Sequence, residues 1–315
     1  MKAIVTGAAG FIGSHLSERL IDAGATVVGI DCFTDYYSRE LKERNLARLR
    51  ESPRFSLVEQ SLATADLPSI LSDATHVFHL AAQAGVRKSW GRDFHVYTVN
   101  NVEATQILLE ACVGKPIERF VYASSSSIYG DEVTLPMRED ARPQPVSPYG
   151  VTKLAAEQLC YLYYVNHSVP TVALRYFTVY GPRQRPDMGF SRFFEAALRD
   201  EPVPIFGDGR QTRDFTFVAD AVSATVASAT RGTPGGVYNI GGGSRVELLD
   251  VFELIRIVTG RALRFSRLEA QRGDMRDTYA DTTRARTDLA FAPTVTLEQG
   301  LRAQYEWITA GNDKQ

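Results

Sequence analysis

Three glycines fix the N-terminal end of this chain more tightly than any other feature. Lys2-Ala-Ile-Val-Thr6 is a short apolar run that passes at once into Gly7-Ala-Ala-Gly10-Phe-Ile-Gly13. Beyond Gly13 the apolar spacing turns helical, with Leu16, Leu20 and Ile21 on one face as far as Ala23-Gly24. A second strand-like run, Thr26 to Ile30, closes on Asp31. Strand, glycine turn, helix and strand make a βαβ unit. A helix that opens on glycines offers free N–H groups and the positive end of its dipole to a pyrophosphate. Asp31 follows Gly13 by 18 residues, near the distance at which an acid meets the adenosine ribose hydroxyls. The unit predicts a dinucleotide site built from Gly7, Gly10, Phe11, Ile12, Gly13 and Asp31. The plainer alternative is a βα turn that uses glycine only for tightness. An acid at position 31 repels a 2′-phosphate, so NAD is expected rather than NADP, with Arg39 and Arg44 the cations downstream.

The pattern continues in the same manner. Residues 35–50 are polar and helical with a leading loop, Phe55 to Glu59 reads as a third strand and His76 to Leu80 as a fourth. The fourth runs into Ala81-Ala82-Gln83-Ala84-Gly85-Val86-Arg87, where small residues let the backbone approach a ligand. A long helix is predicted over 97–112, containing Asn100, Asn101 and Thr105. Arg119-Phe-Val-Tyr-Ala then leads into four serines, Ser124 to Ser127, and Thr171 to Tyr176 is a sixth strand. From there the texture changes. Residues 177–189 read as an irregular loop, 190–200 as helix, 207–217 as turn then strand, 219–229 as helix, and Val237 onward as strand then glycine loop. Helices over 247–258 and 297–308 complete a smaller mixed lobe.

Ser147-Pro-Tyr-Gly-Val-Thr-Lys153 carries the chemistry. Ser147 is a good N-cap, Pro148 suits the first helical position, and Tyr149 and Lys153 then share one helix face. In an open parallel sheet, ligands bind at the C-terminal ends of the strands, so the serines, a phenol and an ammonium can converge. A free tyrosine ionises near pH ~10. A nearby cation, Lys153, helped by a positively charged nicotinamide ring, stabilises its phenolate and makes it a base. A Tyr and a Lys four apart also occur together by chance, and the setting after a serine-rich strand end is what favours chemistry.

The chain has 315 residues, a net charge of −2 and 44% hydrophobic residues, enough for one large or two intimate domains. Nothing in that balance points to a nucleic acid or a membrane surface. Cys32, Cys112 and Cys160 are far apart with no CxxC. They read as thiols in a reducing cytoplasm rather than disulfides or metal ligands. His76 and His79 read as packing residues, so no metal is expected. No signal peptide or membrane-spanning run is predicted. Helices 97–112 and 148–164 carry Leu159, Leu162 and Tyr163, which can pair across a two-fold axis in a homodimer or pack in the core.

Gly7-x-x-Gly10-x-x-Gly13, His79-Leu-Ala-Ala, Ser125, Tyr149-x-x-x-Lys153, Arg213-Asp-Phe-Thr and Tyr238-Asn-Ile-Gly together resemble the extended short-chain dehydrogenase/reductase family of nucleotide-sugar epimerases and dehydratases. The resemblance spans nearly the whole chain. It implies an α/β protein, a Rossmann-type doubly wound parallel sheet with a smaller mixed C-terminal substrate lobe. The boundaries expected are residues 1–175 with about 214–240 for NAD, and 176–213 with 241–315 for the nucleotide sugar. It implies Tyr149 as base, Lys153 orienting it and holding the nicotinamide ribose, and Ser125 bonding the sugar hydroxyl. Leu62, Leu80, Ala81 and Ala82 would contact the cofactor, Arg213 the diphosphate with Arg272 as helper, and Arg87 the UDP-sugar. Where relatives often carry an Asp near the adenine, this chain has Ser61.

Within the family, Arg175-Tyr-Phe-Thr-Val-Tyr-Gly-Pro-Arg-Gln-Arg-Pro-Asp-Met188 is most similar to the UDP-glucuronate 4-epimerases. Dehydratases carry an Asp-Glu pair after the catalytic hydroxyl, and decarboxylases a Glu in that segment; here Ser126 and Ser127 stand instead. With Thr178 they can donate to a sugar carboxylate, or they can merely cap backbone groups. Arg185 is an alternative carboxylate ligand. The implied reaction is 4-epimerisation of UDP-glucuronate. A UDP-glucose/galactose epimerase, a dehydratase, a decarboxylase and a non-catalytic nucleotide sensor are the other readings.

Overall fold

The apolar runs of the N-terminal half become short strands buried on both faces, as parallel strands covered by helices must be. They are β1 (Lys2–Thr6), β2 (Thr26–Ile30), β3 (Phe55–Val58), β4 (His76–His79), β5 (Arg119–Ser125) and β6 (Thr171–Tyr176), with β7 (Val237–Ile240) arriving late in the chain. The structure, a computed structural model, describes residues 1–131, 134–269 and 271–312. The seven strands form one sheet in the order β7-β6-β5-β4-β1-β2-β3, every neighbouring pair parallel. The order reverses between β1 and β4, and that switch point opens the crevice where ligands of such sheets bind.

Helices cover both faces. α1 (Phe11–Asp22) and α6 (Val218–Arg231) pack on one, α3 (Ala104–Cys112) and α4 (Pro148–His167) on the other, while α2 (Arg39–Arg50) lies beside α1. Side-chain alternation feeds both layers: Ala3 and Val5 enter one apolar cluster and Ile4 the other, and Val121 and Tyr122 divide in the same way. The small lobe has its own core, in which Phe190 and Phe194 of α5 (Gly189–Arg199), Val251 and Ile255 of α7 (Leu248–Thr259) and Leu301 of α8 (Leu297–Asn312) pack on Tyr180 and Phe215.

The continuous helix predicted over 97–112 is interrupted. An α-turn at Phe94–Tyr97 opens into a π-helical turn at Thr98–Glu103 before α3 begins. Asn101 supplies the physical reason. Its amide is buried, accepts from Gln83 N (2.7 Å) and donates to Gln83 O (3.0 Å), and the wider turn lets it reach both. Such π-turns often sit at functional sites. On α4, Tyr163 is buried and its hydroxyl donates to Glu110, so it is a core residue and not part of an outer face. Leu159 is half-buried, whereas Leu162 is exposed together with Val151, Tyr161 and Val165.

Candidate functional site: a dinucleotide cradle facing a Ser-Tyr-Lys cluster

The glycine turn folds as a cradle. Gly7 adopts φ +71°, and a Cβ on Gly13 would stand 2.1 Å from the Gly7 carbonyl oxygen, so no side chain fits there. Gly10 caps α1 without a side-chain hydrogen bond, and among the described residues no acceptor meets the N–H groups of Phe11, Ile12 or Gly13. The helix thus keeps unpaired donors at its positive end, as a pyrophosphate requires. At the end of β2, Asp31 accepts from Ala9 N (3.1 Å) and Phe33 N (2.9 Å), one bond per oxygen, which leaves lone pairs for ribose hydroxyls. Arg39 is bound by Glu59 and Glu43, and Arg44 stacks on Trp307 at 3.9 Å, so both downstream arginines are already engaged. Sequence reasoning passed over Lys42. Its buried ammonium donates to Thr34 O at 2.8 Å and fixes the loop that follows Asp31. A lysine at the second turn of an otherwise polar helix gives no sign of this.

The end of β4 is organised by a chain of hydroxyls. Thr6 Oγ1 accepts from Leu80 N (3.2 Å) and Ala81 N (3.0 Å), so its own proton goes to His79 Nδ1 at 2.7 Å. The other ring nitrogen therefore carries hydrogen and donates to Thr105 Oγ1 at 2.9 Å, which donates to Asn101 O. Burial drives the His79 pKa down to about 3, with Lys153 adding to the effect. The imidazole is a neutral relay between strand and helix, and among the described residues no cluster of His, Cys, Asp or Glu is placed to hold a metal ion. Asn101 Nδ2 also donates to Thr152 Oγ1 (3.0 Å), which donates to Tyr149 O (2.8 Å), tying the β4 loop to α4. Leu80 and Ala81 are half-buried at this end, Ala82 is exposed, and Leu62 is buried after β3 beside Ser61, whose hydroxyl meets Thr64 at 3.0 Å.

Ser147 caps α4 as its sequence predicts, accepting from Gly150 N at 3.1 Å. A Cβ on Gly150 would lie 2.4 Å from Ser127 O, so glycine lets the helix press against the serine turn. Ser125 accepts from Ser127 N (3.1 Å) and lies against the Tyr149 phenol. Burial raises the Tyr149 pKa, while the Ser125 hydroxyl and the Arg185 charge oppose that rise. Lys153 stands over the Tyr122 ring at 4.5 Å. The charge that opposes the rise is that of Arg185, whereas Lys153 helped by a positively charged nicotinamide ring was the expected source. The direction of Arg185, unreadable in an irregular loop, is set by Asp187, which holds the guanidinium at 2.9 and 3.0 Å.

Burial also pulls the Lys153 pKa from 10.5 down to about 8. Between those values the unfolded chain binds more protons than the folded one, so stability rises with pH across that window. At neutral pH the buried ammonium destabilises the fold by about 3 kcal/mol. Lys153→Met is expected to be inactive yet more stable than wild type at neutral pH, and to lose that alkaline rise. Urea unfolding at neutral and at alkaline pH measures both effects, and a variant less stable than wild type at neutral pH contradicts the assignment.

The residues expected on the substrate side come from both lobes. Ser125 pairs in register with Tyr176, so Ser126, Ser127 and Thr178 leave the ends of adjacent strands; Ser126 is buried, and Ser127 and Thr178 are half-buried. Arg213 donates to Thr212 O, Met275 O and Arg276 O, contacts no carboxylate among the described residues, and has its pKa lowered by burial. Arg87 reaches across to Asp274 (2.7 Å) and lies over Phe206 at 3.9 Å. Arg272 is exposed in the same turn, whose Gly273 packs on Ser147 and Trp90. Asp214, next to Arg213, is a scaffold residue. It accepts from Gly243 N and Ala280 N at 3.1 Å each, and burial raises its pKa to about 6.

The chain is similar in sequence and fold to known proteins. A crystal structure of UDP-glucuronic acid 4-epimerase from Bacillus cereus, in complex with UDP-glucuronic acid and NAD, superposes with a TM-score of 0.96 at 45% identity, covering 98% of this chain and 99% of that one. The uncharacterized UDP-glucose epimerase YtcB of Bacillus subtilis is 44% identical over 98% of both chains. The UDP-glucuronate 4-epimerase of Thermodesulfobacterium geofontis is 35% identical over 96% of this chain and 95% of its own. With residues 3–241 also matching the family described as NAD dependent epimerase/dehydratase, the chain belongs to that family.

Proposed function

We propose that this chain is an NAD-dependent 4-epimerase that interconverts UDP-glucuronate and UDP-galacturonate through a 4-keto sugar. The observation that carries the reading is the hydroxyl-only end of β5. Ser125, Ser126 and Ser127 follow one another beside the catalytic helix, Thr178 leaves the neighbouring strand, and no acid stands among them. Relatives support it: the Bacillus cereus enzyme holds UDP-glucuronic acid and NAD.

NAD, when bound in the glycine cradle, supplies the redox chemistry at the sugar C4. Tyr149 takes the proton of the 4-hydroxyl and later returns it, and Ser125 donates to the same oxygen. Lys153 holds the nicotinamide ribose and steadies the phenolate. Arg213 takes the diphosphate, with Arg87 and Arg272 near it. The 4-keto form of a uronate is a β-keto acid, which loses CO₂ when its C5–C6 bond aligns with the carbonyl π system. Ser126, Ser127 and Thr178, with Arg185 on the opposite loop, hold the carboxylate out of that alignment, which is orientation used to suppress a reaction. Hydroxyl donors also leave the ring free to turn about its diphosphate tether and present its other face.

The same reading assigns residues 1–175 with about 214–240 to the cofactor and 176–213 with 241–315 to the nucleotide sugar. Ala285, Leu289 and Phe291 nevertheless pack in the sheet-side cluster, so the lobes share a core. A homodimer through the exposed Val151, Tyr161, Leu162 and Val165 is part of this proposal. So is a cytoplasmic setting, which suits the free Cys32, Cys112 and Cys160. Among the described residues no helix is long and apolar enough to cross a membrane.

Purified protein given UDP-glucuronate is expected to form UDP-galacturonate with the carboxylate retained, and to turn over UDP-glucose far more slowly. NMR of the products decides. A pentose, a 4-keto-6-deoxy sugar or faster turnover of UDP-glucose would overturn the assignment.

A further inference from the structure

We propose that Tyr36 is a positioning residue, a latch that closes three loops over the bound dinucleotide and keeps it in place while the sugar is oxidised. The inference rests on the functional reading above and adds to it a residue that none of the motifs contains. Tyr36 lies five positions beyond Asp31, in the loop after β2. Its hydroxyl donates to Asp187 Oδ2 at 3.2 Å, and the same carboxylate holds Arg185 at 2.9 and 3.0 Å. The Tyr36 ring is flanked by two cations, Lys88 at 5.0 Å from the loop after β4 and Arg185 at 5.8 Å from the loop after β6. Gly85, in the β4 loop, approaches so closely that a Cβ there would stand 2.6 Å from the Tyr36 hydroxyl.

The strand order gives these contacts their meaning. β1 lies between β4 and β2, so a side chain from the β2 loop that meets the β4 loop crosses the end of β1. The glycine cradle sits at that end. Tyr36 therefore bridges above the place where the pyrophosphate lies, and Asp187 draws the substrate-side loop into the same bridge. The base of that loop is held independently, by Arg183–Glu18 at 2.8 Å and by His15, whose ring nitrogen donates to Pro182 O at 3.0 Å. Its tip is joined to the β2 loop by the Tyr36 hydroxyl, and the tip is the part able to release. A redox-neutral epimerisation needs such a closure. If the ketone leaves after C4 has given up its hydride and proton, the enzyme is stranded with reduced cofactor and the next cycle cannot begin.

Tyr36→Phe keeps the ring and its cation contacts and removes only the hydroxyl; Asp187→Ala removes the acceptor and breaks the bridge from the other side. Each is expected to exchange bound NAD for labelled NAD about tenfold faster than wild type or more, the worth of one hydrogen bond to a charged acceptor. During turnover of UDP-glucuronate, each is expected to slow progressively as the near-ultraviolet absorbance of reduced nicotinamide accumulates, and to recover when NAD is added. The double variant should exchange no faster than the worse single one, because both remove the same bridge. Wild-type exchange rates and linear progress curves in both variants would sink the latch alone. Wild-type protein that carries no dinucleotide would sink the functional reading and the latch with it.

Discussion

Tyr149→Phe is expected to lower the epimerisation rate by about 10²–10⁴-fold, the usual worth of a positioned acid–base group. Nucleotide-sugar affinity and bound NAD should be little changed. The substitution keeps the ring, and with it the edge contact to Tyr97 at 6.2 Å, so α4 has no reason to move. Burial holds the phenol above its ordinary pKa, and Ser125 and Arg185 bring it part of the way back. Deleting the oxygen removes the proton acceptor and leaves those donors facing a hydrocarbon edge. Initial rates with titrated UDP-glucuronate separate the two effects. A variant within a few-fold of wild type would show that another group takes the proton.

The second large effect is on stability. Glu157 and Arg175 form an ion pair at 2.7 Å that is almost wholly buried, 3% and 4% exposed. Ser124 donates to Glu157 at 2.5 Å, and Arg175 donates to Tyr129, whose hydroxyl donates to Asn239. Glu157→Ala leaves a guanidinium buried without its counter-charge, a loss of about 3–5 kcal/mol. That is a large share of the ~5–15 kcal/mol that holds a typical domain together. Glu157 lies one helical turn beyond Lys153, and Ser124 precedes Ser125, so the pair also locks the catalytic helix to the end of β5. Urea unfolding should show the loss, and replacing both partners by apolar residues should recover most of it. A single variant as stable as wild type would contradict this account.

How far each part could be read in advance follows from the range of the interactions involved. The glycine turn and the Ser147 cap are local, made by residues within a few positions of one another, and Asp31, though 22 residues from Ala9, stands at a spacing fixed by the βαβ unit, so their sequence positions report their geometry directly. Tyr149 and Lys153 share a face by helical periodicity alone. The π-turn was hidden because Asn101 sits in an otherwise ordinary helical pattern, and its partner Gln83 is 18 residues away. Arg185 could not be aimed because Asp187 and Tyr36 set its direction, and Tyr36 comes from the opposite side of the sheet. Asp214 read as part of an arginine motif, yet its work is to hold Gly243 and Ala280, a contact invisible before the chain is folded.

The late arrival of β7 has a consequence for synthesis. β6 is complete at Tyr176, but its outer neighbour begins only at Val237, after residues 177–236 have been made. At about 5–20 residues per second, a nascent chain spends several seconds with the edge of β6 unpaired. That strand, Thr171-Val-Ala-Leu-Arg-Tyr176, is buried along its whole length in the finished protein. An apolar strand with an open edge is a template for pairing with other chains. During the interval between the sixth and seventh strands the half-made chain therefore presents an open pairing edge, and slower translation lengthens that interval.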